Sequence, residues 1–142
     1  MHLGVRESDI VFFGRSMGSG PSTHLASKYP AYTLLLMSPY TSIKDVSRSL
    51  LGKLSFFLTP LVYERFRNID TIKEAKCPVF ILHGLDDNLI PTSHSIELHN
   101  NCPTVSYLQL AKGMDHNEFD FCNDLIRPFK DFIQRLEANF ES

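Results

Sequence analysis

A chain of 142 residues that is 43% hydrophobic and 21% charged has the make-up of a globular domain, long enough to bury a core without disulfide or metal staples. Its net charge of -2 and the lack of a basic stripe remove the electrostatic case for nucleic acid as a partner. The cysteines, Cys77, Cys102 and Cys122, are odd in number and form no C-x-x-C pair, which argues against a disulfide framework or a zinc knuckle and fits a reducing compartment.

The chain opens with MHLGVRESDI, which has neither the basic nor the apolar region of a signal peptide, and no later run approaches the length of a membrane span. A cytoplasmic protein is expected. Ile10 to Phe13 reads as a buried strand, and it breaks at Gly14-Arg15-Ser16-Met17-Gly18 into a helix spanning Ser16 to Lys28. Thr33 to Met37, TLLLM, reads as a second strand buried on both faces, followed by a helical segment from Ile43 to Phe57. Val79 to Leu82 is a third strand, ending at His83 and Gly84, with a helix over Thr92 to Asn100 behind it. Val105 to Leu110 is a fourth strand. Asp124 to Phe140 carries Leu125, Phe129, Phe132, Ile133 and Leu136 at helical spacing and predicts an amphipathic final helix.

Strands that alternate with helices imply right-handed crossovers and a parallel sheet with helices on its faces. A functional site in such a sheet gathers beyond the carboxyl ends of the strands, here at Gly14, Ser38, Gly84 and Ala111. Three features at that edge are candidates for chemistry. The first is G-x-S-x-G around Ser16, where flanking glycines leave room for a strained, projecting serine and the helix N-terminus at Met17 offers a backbone N–H to an oxyanion. The second is HGLDDNLIP, which carries Asp86 and Asp87, and the third is AKGMDHNEF, which carries His116. A serine hydroxyl becomes a nucleophile when an imidazole takes its proton, and the imidazole needs a carboxylate to fix its tautomer. The order Ser16, then Asp86 or Asp87, then His116 follows that logic, each residue standing after a strand.

Other polar residues suggest less. His83, beside Gly84, reads as a satisfied structural histidine; His94, Glu97 and His99 lack the histidine pair of a zinc helix. Gly18-Ser19-Gly20 completes neither a dinucleotide fingerprint nor a phosphate loop, so no cofactor and no metal is implied. LSFFLTPLVY, from Leu54 to Tyr63, is apolar enough to line an acyl groove or to pack as a cap helix.

The stretches VFFGRSMGSGPSTHLASKYP, LLLMSPYTSI, FRNIDTIKEAKCPVFILHGLDDNLIPTSHSIEL and GMDHNEF together resemble the α/β-hydrolase domain-containing protein 17 type. That resemblance implies the C-terminal half of an α/β-hydrolase fold, a single partial domain over 1–142 of about four parallel strands with flanking helices, the N-terminal strands being absent. It also implies a serine hydrolase acting on acyl esters or thioesters, with protein depalmitoylation among the family's activities and Ser16, Asp87 and His116 as nucleophile, acid and base. Met17 matches the oxyanion donor. The loop supplying the second oxyanion N–H and the lipidated N-terminal segment of the thioesterase members have no counterpart in the sequence, so attachment to a membrane is tied to a full-length form. A peptidase and a catalytically silent interaction module are the alternatives. The expected partner is an acylated protein or a small acyl ester. Self-association is expected too, through an edge strand exposing Val11, Phe12 and Phe13 and through a sheet face covered by the final helix alone.

Overall fold

The computed structural model describes residues 4–51 and 63–141. β-Branched, aromatic and leucine-rich runs form the strands β1 (Val11–Arg15), β2 (Thr33–Met37), β3 (Val79–Gly84) and β4 (Ser106–Ala111). They join in one parallel sheet in the order β1-β2-β3-β4, with Phe13 opposite Leu35, Leu35 opposite Phe80 and Phe80 opposite Tyr107. Sequential order in a parallel sheet sends each connection across a face, and the helices are α1 (Ser19–Lys28), α2 (Ile43–Leu51), α3 (Asn68–Thr71), α4 (Ser93–Asn100) and α5 (Arg127–Glu141).

Period-2 alternation divides the sheet residues between two cores. On one face Leu34, Leu36, Val79 and Ile81 pack with Ala26 of α1, Ile69 of α3 and Leu98 of α4. On the other, Leu35, Met37, Phe80 and Leu82 meet Phe132 and Leu136 of α5. Phe80, 0% exposed, sits at the centre of an aromatic cluster, its ring centroid 5.4 Å from Phe132, 5.5 Å from Phe129 and 5.7 Å from Tyr107.

β1 is the edge of the sheet, as the edge reading expects, and not a strand buried on both faces: Val11 and Phe13 are 42% and 52% exposed on the α5 face, while Gly14 alone of its residues is buried. Nor is Phe12 exposed with them, because alternation turns it to the other face, where it packs against the α1 core. The α5 face is covered by that helix over β2 to β4 and stops short of β1. The helix over Ser16 to Lys28 opens instead with a tight turn at Ser16–Gly18, and the last helix is preceded by a wide turn at Phe121–Ile126 whose first N–H groups are capped by Asp120. Of Ile43 to Phe57, the helix to Leu51 is seen and the remainder, with Leu54 to Val62, lies outside the described residues. No helix among the described residues is long and apolar enough to cross a membrane.

Candidate functional site

Ser16 closes β1 with φ at +50°, a left-handed conformation that costs a non-glycine residue about 1–3 kcal/mol. The chain reverses so sharply there that a Cβ on Gly14 would stand 2.6 Å from the Gly18 carbonyl oxygen and 2.8 Å from the Ser19 Cα. The turn is held by α1: the Ser19 hydroxyl donates to the Ser16 carbonyl at 2.6 Å and the Ser22 hydroxyl to the Phe13 carbonyl at 2.7 Å. Strand, turn and helix N-terminus together leave the Ser16 side chain above the carboxyl edge of the sheet. Met17 follows it into the first turn.

The loops after β3 and β4 bring the other candidates to the same edge. Ser16 Oγ lies 3.0 Å from His116 Nε2, and His116 Nδ1 lies 2.8 Å from Asp87 Oδ2. Asp87 is buried, and its second oxygen accepts the backbone N–H groups of Leu89 at 2.9 Å and Ile90 at 2.8 Å. Burial alone would raise this carboxyl. The Ile90 N–H, the His116 side chain and the Leu89 N–H outweigh that and hold it below the usual carboxylate range.

Asp86 points elsewhere. Its carboxylate accepts the Gly113 N–H at 2.9 Å and its own N–H donates to the Met114 carbonyl at 3.1 Å, so it fastens the β3 loop to the His116 loop. The two loops press so closely that a side chain at Gly84 would collide with the Met114 carbonyl. Of the acidic neighbours that residue spacing leaves open, Asp87 is therefore the one that meets His116.

Arg15 was not singled out by the sequence. Its guanidinium donates to the His116 carbonyl at 2.5 Å and lies 5.8 Å from the Phe119 ring centroid, steadying the loop that presents the imidazole. Arg15 occupies a variable position of the serine motif, so no residue pattern marks it. Asn68 is another: from the short α3 it donates to Ser19 Oγ at 3.0 Å and to the Tyr40 carbonyl at 2.8 Å, tying the serine turn to the loop after β2.

Beside Ser16 opens an apolar cavity of about 140 Å³ lined by Met17, Tyr40, Ile43, Val46, Leu89 and Ile90. Its far wall comes from α2 and its near wall from the loop that carries Asp87. Among the described residues no group of three or more histidine, cysteine or acidic side chains is placed to hold a metal ion.

Comparison with known proteins agrees with the fold. The chain is 30% identical over 136 residues to human alpha/beta hydrolase domain-containing protein 17B, a match covering 96% of this chain and 45% of that protein. It therefore spans less than half the length of that curated relative. The solved acetyl xylan esterase of Paenibacillus sp. R4 superposes with a TM-score of 0.69 at 15% identity, over 92% of this chain and 46% of that one. The acylaminoacyl peptidase of Pyrococcus horikoshii does so with a TM-score of 0.65 at 16% identity, over 94% and 24%. No protein-family model matches. Four parallel strands with flanking helices in this order are the α/β-hydrolase fold, in the portion that corresponds to the C-terminal half of its relatives.

Proposed function

We propose that this chain, which has the α/β-hydrolase fold and resembles the domain-containing protein 17 relatives, carries the machinery of a serine hydrolase that cleaves acyl esters or thioesters through an acyl-enzyme. The observation that carries this reading is the relay from Ser16 Oγ through His116 at 3.0 Å to Asp87 at 2.8 Å, assembled on a strained strand-to-helix turn. In the proposed reaction His116 Nε2 takes the Ser16 proton as Oγ attacks the acyl carbonyl carbon. The Met17 N–H faces the developing oxyanion at the start of the helix. Collapse of the tetrahedral adduct breaks the bond to the alcohol or thiol, which leaves with the proton from His116. Water, deprotonated by His116 in turn, then attacks the acyl carbon and releases the acid and free Ser16. Asp87 stays ionised throughout and holds the imidazole in the tautomer with its proton on Nδ1.

The acyl group belongs in the cavity beside Ser16, whose lining is almost wholly apolar. A dry apolar cavity of about 150 Å³ accepts a molecule the size of benzene, so the first few acyl carbons fill this one. An acylated protein, a palmitoylated one included, fits the reading if its chain continues beyond. Hydrolysis of p-nitrophenyl esters and acyl thioesters from acetyl to palmitoyl tests it, with Ser16→Ala as the control. The expected result is turnover of ester and thioester that disappears in the variant. Cleavage of amino-acid amides with none of acyl thioesters would turn the reading to a peptidase, and equal turnover by Ser16→Ala would overturn it.

A further inference from the structure

A histidine inside a fully buried strand must find partners for both ring nitrogens. His83, 0% exposed, stands one residue from the end of β3. Its Nε2 lies 2.8 Å from the Ile90 carbonyl, which can only accept, so Nε2 carries the proton. Nδ1 is then bare and accepts the Ser95 hydroxyl of α4 at 2.6 Å. The tautomer is fixed by these two partners. The same Nε2 lies 3.4 Å from Asp87 Oδ2, the oxygen that also faces His116. Ile90 is gripped at both ends of its peptide groups, its N–H donating to Asp87 Oδ1 and its carbonyl accepting from His83. Burial pushes the His83 imidazole below its ordinary range, against the pull of the Ile90 carbonyl and of Asp87 in its own loop; His94 from α4 and His116 from the loop after β4 push it the same way as burial.

We propose that His83, oriented by Ser95, is a positioning residue for the site: by donating to the Ile90 carbonyl it ties down Ile90 and keeps the Ile90 N–H directed at Asp87, so that the carboxylate keeps its aim at His116. This rests on the hydrolytic reading above. An aliphatic residue could fill the same core volume, but it would leave the Ile90 carbonyl without a donor and Asp87 Oδ2 with His116 alone.

Two substitutions separate positioning from packing. His83→Gln keeps an amide N–H near the place of Nε2, whereas His83→Leu fills the space without a donor. Each full chain is assayed on p-nitrophenyl acetate, and its Asp87 carboxyl is titrated by carbon-13 NMR. An N–H directed at a carboxylate favours the ionised form, so its loss moves the titration upward. His83→Leu should lower kcat on the order of ten- to a hundredfold with KM within about twofold, as small misplacements in a site do, and raise the Asp87 titration. His83→Gln should restore most of both. Equal losses in the two variants, or an Asp87 titration unmoved by His83→Leu, would overturn the assignment. Should His83→Leu fail to fold, Ser95→Ala removes only the hydroxyl that orients the ring and should shift Asp87 upward by a smaller amount; no shift there overturns it as well. Failure of the hydrolytic reading would be seen separately, as undiminished turnover by Ser16→Ala, while the NMR titration still reads the role of His83.

Discussion

β3 and β1 belong to one sheet and end at one site, yet they are held in different ways. All six residues of β3 are buried between α4 and α5, whereas β1 is an edge with only Gly14 buried. The carboxylate end of the relay is thus fixed by the sheet interior: Asp87 hangs from β3 and is gripped by its own loop. The serine end is fixed locally, by the turn into α1 and the hydroxyls of Ser19 and Ser22. Global packing and local geometry can therefore be perturbed separately, and the expected effects differ in kind.

The largest effect should come from the interior side. Asp87→Asn removes the acceptor that fixes the His116 tautomer and should lower kcat/KM by about 10⁴, while Asp86→Asn, which loosens only the Gly113 tie, should cost far less. Steady-state kinetics on an acyl ester decide; equal losses would break the distinction between the two neighbours. Phe80→Ala should destabilise the chain by about 3–5 kcal/mol in urea denaturation, since it empties the centre of the aromatic cluster. Gly14→Ala addresses the serine side. Its methyl group meets the Gly18 carbonyl oxygen at 2.6 Å and the Ser19 Cα at 2.8 Å, backbone atoms that must give way, so activity should fall by about 10² with a stability loss of about 1–3 kcal/mol in urea and little change in far-UV circular dichroism. A collapse of stability instead would mean that the turn supports the whole sheet.

A pH dependence follows from the buried histidines near β3. Burial holds His83 and His94 below their ordinary values, so the unfolded chain takes up protons first as pH falls. Stability should be greatest above about 6.5, the unfolded histidine value, and decline as pH drops below it toward the folded values. Urea midpoints at several pH values would show this, and a flat profile between neutral and mildly acidic pH would contradict it. The smallest effect belongs to the edge. Phe13→Lys should change the unfolding free energy in urea by less than about 0.5 kcal/mol, yet reduce the self-association expected of the β1 edge, as read by light scattering.

This contrast also explains what could be read from sequence. β2 and β3 are long apolar runs, and burial on both faces is what such runs encode, so TLLLM and VFIL were legible as interior strands. VFF of β1 carries the same signal, but its burial depends on what covers an edge, which no local pattern states. The order of Ser16, Asp87 and His116 was legible because each follows a strand. The choice of Asp87 over Asp86 was not legible from spacing; it turns on which carboxylate the Leu89 and Ile90 N–H groups capture. Arg15 and Asn68 act through contacts made by distant loops, and α3, a four-residue helix, is too short to show a period. His83 looked like a satisfied core histidine, and both its ring nitrogens are indeed bonded. Its approach to Asp87 depends on the path of the loop back under β3.

The most direct measurement is covalent labelling of the whole chain with a fluorophosphonate probe, followed by mass spectrometry of the modified peptide. An activated hydroxyl exists only where a base stands beside it, so the expected adduct is on Ser16, lost in Ser16→Ala and strongly slowed in His116→Ala. Labelling of a different serine, or labelling of Ser16→Ala equal to that of the parent, would contradict Ser16 as the nucleophile.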